Sequence, residues 1–284
     1  MKNFKYLSFL FLAITFFSCT SDSDSTPETA VDETLGLVKI QKLSNENHVI
    51  ELYSETGVLT QGYNQISLRI KDKTTNKYIT NASFNWIPIM KMAAMQHSCL
   101  RSGIEKISGK QTLYRGDIIF QMAQNDTDAW HLQIDYTIDD IKSNATSAIA
   151  VIASQKRTVN SFTGTDGVRY ILAYISPKTP KVALNNMTVG LYKMQDDLIT
   201  FNVVDNFKIK IDPRMPSMGN HSSPNNTDLL QSLSGGTYNG KLSLTMTGYW
   251  KINLQLLNAT GEVLKGEDFA TENLQSSLFF EAEF

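Results

Sequence analysis

The chain has 284 residues, of which 42% are hydrophobic, 10% aromatic and 19% charged, with a formal net charge of −2. That suits one large or two smaller globular domains, and the near-neutral balance excludes the broad basic surface that nucleic-acid binding needs. Two cysteines and four histidines are too few for a disulfide framework or a rich Cys/His metal centre.

Lys2 and Lys5 precede an apolar run over residues 6–17, which ends on Ser18 and Cys19. A positive start, a short apolar stretch and a small residue at the cleavage point read as a secretory signal, too short to span a bilayer permanently. The end of the run resembles a bacterial lipobox, with Phe16 where an aliphatic residue is usual. Residues 1–18 are therefore expected to be a lipoprotein signal peptide and Cys19 the lipidated mature N-terminus. Residues 19–36 open on the polar, acidic run Thr-Ser-Asp-Ser-Asp-Ser-Thr-Pro-Glu-Thr, which reads as a flexible tether. The expected location is the outer membrane, on its periplasmic or cell-surface side, held by the lipid. With Cys19 acylated, Cys99 has no disulfide partner within the chain.

From Leu37 onward the dominant period is two. Ile66, Leu68 and Ile70 alternate with polar residues, as do Trp130, Leu132, Ile134, Tyr136 and Ile138. The same pattern holds for Tyr170, Leu172 and Tyr174, for Phe207, Ile209 and Ile211, and for Trp250, Ile252, Leu254 and Leu256. Turn-forming clusters at 71–77, 124–128, 234–237 and 259–262 separate these segments. No long stretch shows a helical period, so the fold class is all-β, with antiparallel β-sandwiches as the architecture.

The chain also repeats itself. Pro88-Ile-Met90 is followed by Tyr114-x-Gly116, Met122 and Trp130; Pro213-Arg-Met215 is followed by Tyr238-x-Gly240, Met246 and Trp250. Pro to Tyr spans 26 residues in one copy and 25 in the other, and Tyr to Met spans 8 in both. Residues 64–70 are matched to 186–192. The expectation is two copies of one sandwich, at 37–152 and 160–284, each with a loop opening at its Pro-x-Met.

Those loops concentrate soft donors. The first holds Met90, Met92, Met95, His97 and Cys99, and the second holds Met215, Met218, His221 and Ser223. Five of the nine methionines after Met1 lie in these two windows, and Met122 and Met246 make seven. Thioether sulfur is soft and imidazole borderline, a set that suits Cu(I), while methionine packing as a flexible core filler is the competing explanation. His131 and His48 are expected at the surface.

The segment Pro-Arg-Met-Pro-Ser-Met-Gly-Asn-His (213–221), with Thr-Met-Thr-Gly-Tyr-Trp (245–250), resembles the YtkA-like domain family, related to FixH-like proteins. The resemblance covers about 180–260 best. It is weaker over 60–138, where Lys-Met-Ala-Ala-Met-Gln-His (91–97) lacks the glycine. It implies small immunoglobulin-like sandwiches of extracytoplasmic bacterial proteins, here duplicated, with links to copper handling.

No phosphate loop, nucleophile elbow or His-Glu-x-x-His motif is present, and the acidic pairs Asp139-Asp140 and Asp196-Asp197 read as turn residues, so no enzyme is expected. The functional expectation is a copper-binding lipoprotein, for sequestration or delivery. Its partners would be the membrane, through the lipid, and a copper donor or acceptor protein. The alternative is a structural or adhesive surface module that meets a protein or glycan without metal.

Overall fold

The alternating segments pair as antiparallel strands. The computed structural model describes residues 32–93, 95–269 and 275–284; the expected signal peptide, Cys19 and the tether up to residue 31 lie outside them. The first half contributes β1 (Val38–Ser44), β2 (His48–Ser54), β3 (Leu59–Thr60), β4 (Gly62–Asp72), β5 (Ser83–Lys91) and β6 (Gln96–Ser98). It continues with β7 (Leu100–Arg101), β8 (Glu105–Lys106), β9 (Tyr114–Phe120), β10 (Ala129–Ile138), β11 (Ile141–Ile149) and β12 (Val151–Ile152). The second half contributes β13 (Val159–Thr163), β14 (Arg169–Ser176), β15 (Ala183–Met194), β16 (Phe201–Val203), β17 (Lys208–Met215) and β18 (His221–Ser222). Then follow β19 (Thr227–Gln231), β20 (Tyr238–Leu244), β21 (Tyr249–Leu257), β22 (Val263–Lys265) and β23 (Leu278–Glu283). Among the described residues the one helical element is the 3-10 turn Pro216–Met218.

In the first half a sheet of order β1-β2-β4-β9-β7, with β8 beside β9, and a sheet of order β11-β10-β5-β6 enclose a core around Trp86, Phe120 and Trp130. The chain changes sheet between β6 and β7, at the buried Cys99. In the second half β19 pairs with both β20 and β17, which joins the corresponding layers into one hydrogen-bonded sheet around Trp250 and Phe280. Residues Glu33–Phe284 form one compact unit that contains both cores.

The residues matched between the halves make corresponding contacts. Tyr114 stands opposite Leu68 and Tyr238 opposite Val189. Each tyrosine hydroxyl bridges the chain just ahead of β5 or β17: Tyr114 donates to Thr80 O and accepts from Ala82 N, while Tyr238 donates to Val204 O and accepts from Phe207 N. Trp130 and Trp250 each donate their indole N–H to a methionine carbonyl, Met122 and Met246 respectively. One expected correspondence shifts by a residue. Asn64 matches Asn185, not Asn186, because both side chains close the same bend: Asn64 Nδ2 donates to Thr60 O and Gly62 O, and Asn185 Nδ2 to Lys181 O and Ala183 O. The shift matters, since a one-residue slip in a strand reverses every side chain.

The Pro-x-Met segments also differ from expectation: they are the ends of strands, not openings of loops. Pro88 lies opposite Leu132 and Pro213 opposite Ile252. Each proline carbonyl points away from that partner, accepting from Ser98 Oγ at 2.7 Å and from Ser223 N at 3.3 Å. A strand residue directs its N and O to the same side, so the missing N–H falls where the ladder has thinned to a short returning strand. Met90 and Met215 thereby reach the core, at 0% and 3% exposure.

The glycine of each Tyr-x-Gly is set by close approach. A Cβ on Gly116 would lie 2.6 Å from the Trp86 ring and 2.8 Å from Gly103 O; on Gly240 it would lie 2.6 Å from Thr227 O. Gly116→Ala is expected to destabilise the protein by about 1–3 kcal/mol, read from the urea midpoint, because a buried ring and a backbone must both yield. An unchanged midpoint would contradict that packing.

The halves meet outer face to outer face. Leu100, Ile119 and Tyr63 from the first pack with Val159, Ile171, Ala173, Tyr192 and Phe201 from the second. Ile171 and Ala173 lie on β14, whose Tyr170 and Leu172 point into their own core, so this strand is buried on both faces.

Candidate metal centre

In the first half, Met90 stands opposite Trp130 on β10 and opposite His97 on β6. Directly opposed residues share a face, so His97, Met90 and Trp130 form one row across three strands. The His97 ring meets the Trp130 ring edge-on, with centroids 5.4 Å apart. In the second half Met215 stands opposite His221, and the adjacent pair Arg214–Lys251 places Trp250 next in the same row. Met122 and Met246 belong to this end of the fold through the Trp indole bonds.

The rows differ in exposure. His97 is half-buried, and its Nδ1–H donates to Ser98 O at 3.0 Å. That bond fixes the ring orientation and leaves Nε2 as the nitrogen open to a ligand. Met92 and Met122 are partly buried against the first core, while Met95 beyond them is 49% exposed. In the second half His221 is exposed, Met218 is 57% exposed on the 3-10 turn, and Met246 is partly buried against its core. Gly219 ends that turn at φ 64°, a left-handed conformation that L side chains rarely adopt and that lets the chain reverse into His221.

The expected ligands therefore separate into two groups. Met90, Met215 and Cys99 are core residues; burial holds the Cys99 thiol protonated, well above its ordinary range. Cys99 is thus placed as a small buried hydrophobe, with the thiolate disfavoured by desolvation. Met92, Met95, His97 and Met122, and Met218, His221 and Met246, keep at least partial access to solvent. Among the described residues no group of three His, Cys, Asp or Glu could hold an ion. The donors gathered at these row ends are thioethers and imidazoles.

Two histidines expected at the surface are half-buried. His48 Nδ1 lies 3.0 Å from the Tyr136 hydroxyl, tying the two sheets of the first half at their edge. His131 Nδ1 is removed from water without a hydrogen-bond partner, on a strand position opposite Ile89 of β5 and Ala148 of β11. Neither lies in the His–Met–Trp rows. The sequence presents the tryptophans as repeat markers and does not by itself show that they complete these rows; the available signal is their matched spacing from the methionines.

No protein-family profile matches the chain, and no curated protein does. Among solved structures, the crystal structure of the conserved domain protein from Bacillus anthracis is similar over 87% of this chain and 86% of that one. Its TM-score is 0.32 and its sequence identity 9%.

Proposed function

We propose that this chain is an extracytoplasmic lipoprotein, anchored through Cys19, that binds Cu(I) at its two Met/His hairpins for sequestration or for exchange with a copper donor or acceptor protein. The YtkA-like resemblance belongs to the same reading. The observation that carries it is the duplicated row, His97–Met90–Trp130 and His221–Met215–Trp250, with accessible methionines at its end. Core packing explains Met90 and Met215, but it does not explain Met95 and Met218, the exposed tips of both hairpins. The ligands assigned are His97 with Met92, Met95 and Met122, and His221 with Met218 and Met246. Met90 and Met215 back the sites from the core, and Cys99 takes no part. Soft thioethers select Cu(I) over Zn²⁺, which prefers harder or charged donors.

The test is a Cu(I) competition titration of the body of the protein under reducing conditions. His97→Ala and His221→Ala are each expected to remove one of two sites, and the double variant to remove both. His131→Ala should bind as the wild type does. If the wild type takes up no copper, or the double variant still takes up a full load, the adhesive-module reading replaces this one.

A further inference from the structure

The two hairpins have different neighbours. Ser98 on β6 is 1% exposed, and its backbone N–H donates across the halves to Leu198 O at 3.2 Å. Leu198 belongs to the turn between β15 and β16, where it adopts φ 58°. That turn is held shut by Asp197: Oδ1 accepts from Ile199 N and Thr200 N, and Oδ2 from Thr200 Oγ1. Ser98 is therefore a pivot. Its N–H is held by the second half, and its carbonyl holds the imidazole of His97. The corresponding residues of the second hairpin, His221 and Ser222, are both exposed.

Resting on the copper reading, we infer that the turn at 195–200 latches the first hairpin, making His97 the slow-exchange site and His221 the fast one. The Ser98–Leu198 bond restrains the strand that carries His97, and withdrawal of the imidazole from an ion at the first site works against that restraint. The second site has no such restraint. An exchange partner would thus meet the exposed Met218 and His221 first, and the first site would retain copper longer. Local motion of the ligand's strand sets the release rate of a restrained, half-buried ligand, and one backbone hydrogen bond slows it by up to about tenfold.

The experiment is stopped-flow transfer of Cu(I) from the loaded protein to excess chelator, with amide exchange at Ser98 measured separately on the copper-free protein. The wild type is expected to release copper in two phases about tenfold apart. The slow phase should vanish in His97→Ala and the fast one in His221→Ala. Asp197→Ala should accelerate the slow phase and Ser98 exchange alike while leaving the fast phase alone; Asp197→Asn, which keeps a side-chain oxygen acceptor, should do neither. Equal rates from both hairpins, or an Asp197→Ala protein with unchanged slow phase and Ser98 exchange, overturn the inference while leaving copper binding intact. Absence of copper uptake overturns the copper reading, and the assignment of fast and slow sites falls with it.

Discussion

Replacing Trp250 with alanine is expected to destabilise the protein by roughly 3–5 kcal/mol, the range found when a large buried ring is removed and the site cannot collapse. Trp250 is 0% exposed, at the centre of the second core, and its indole N–H is the donor to Met246 O. Trp250→Phe separates the two contributions. It keeps most of the ring burial but leaves the Met246 carbonyl without its donor, so a loss of about 1–3 kcal/mol is expected. Trp130 occupies the matching place, donating to Met122 O, and additionally meets the His97 ring. Trp130→Ala should therefore destabilise the fold comparably and also loosen His97, which under the proposed copper function lowers Cu(I) affinity at the first hairpin. Urea unfolding of the three variants, followed by circular dichroism, measures the stability terms. A Trp130→Ala protein with both stability and copper affinity unchanged would show that the row is not a packed unit.

Much of this arrangement is legible in the amino-acid sequence. Period-two runs locate the long strands, and the Tyr-x-Gly and Trp spacings locate the repeat, because both halves need the same close approach at Gly116 and Gly240. What the sequence hides is local. A Pro inside Pro-x-Met reads as a strand breaker, yet Pro88 and Pro213 sit in strands, since their N atoms face the short returning strand rather than the long partner. The contact between the halves is also hidden, although it leaves a trace: residues 170–175 (Tyr-Ile-Leu-Ala-Tyr-Ile) are continuously apolar, which signals burial on both faces. Reading only Tyr170, Leu172 and Tyr174 conceals the outward Ile171 and Ala173. The Ser98–Leu198 bond leaves no trace, because its acceptor is a carbonyl in a polar turn and any residue supplies one.

The correspondence between the halves also explains a charge buried in the first. Registers of β2 with β4 and of β14 with β15 make Glu51 the counterpart of Ala173. Ala173 is covered by the neighbouring half, whereas Glu51 covers its own sheet with a polar cluster. Glu51 is 5% exposed; Oε1 accepts from Lys39 Nζ at 2.5 Å, and Oε2 from Tyr53 Oη at 2.7 Å, Arg69 Nε at 2.9 Å and Tyr78 Oη at 3.0 Å. Burial alone would raise its pKa. The hydrogen bonds from Lys39, Tyr53, Arg69 and Tyr78 together outweigh that and bring it down to about 2. A carboxylate whose pKa is lowered by folding stabilises the native state above its unfolded pKa, and loses that contribution as pH falls through the folded value. Glu51 is thus expected to stabilise the protein at neutral pH, a contribution lost between about pH 4.5 and pH 2. Tyr53 acts at the other end: burial, then its bond to Glu51, push it up to about 12, so its contribution is present below its unfolded value near pH 10 and lost as pH rises through about 12. Glu51→Gln removes the charge but keeps the shape, leaving Arg69 and Lys39 without a counterion. A loss of about 2–4 kcal/mol at pH 7 is expected, and stability should fall less steeply in acid than in the wild type. Urea midpoints of both proteins from pH 7 down to pH 2 decide the matter. Parallel acid profiles would mean that the carboxylates responsible for acid unfolding lie elsewhere, and that the Glu51 cluster is spectator charge on a sheet held by its core.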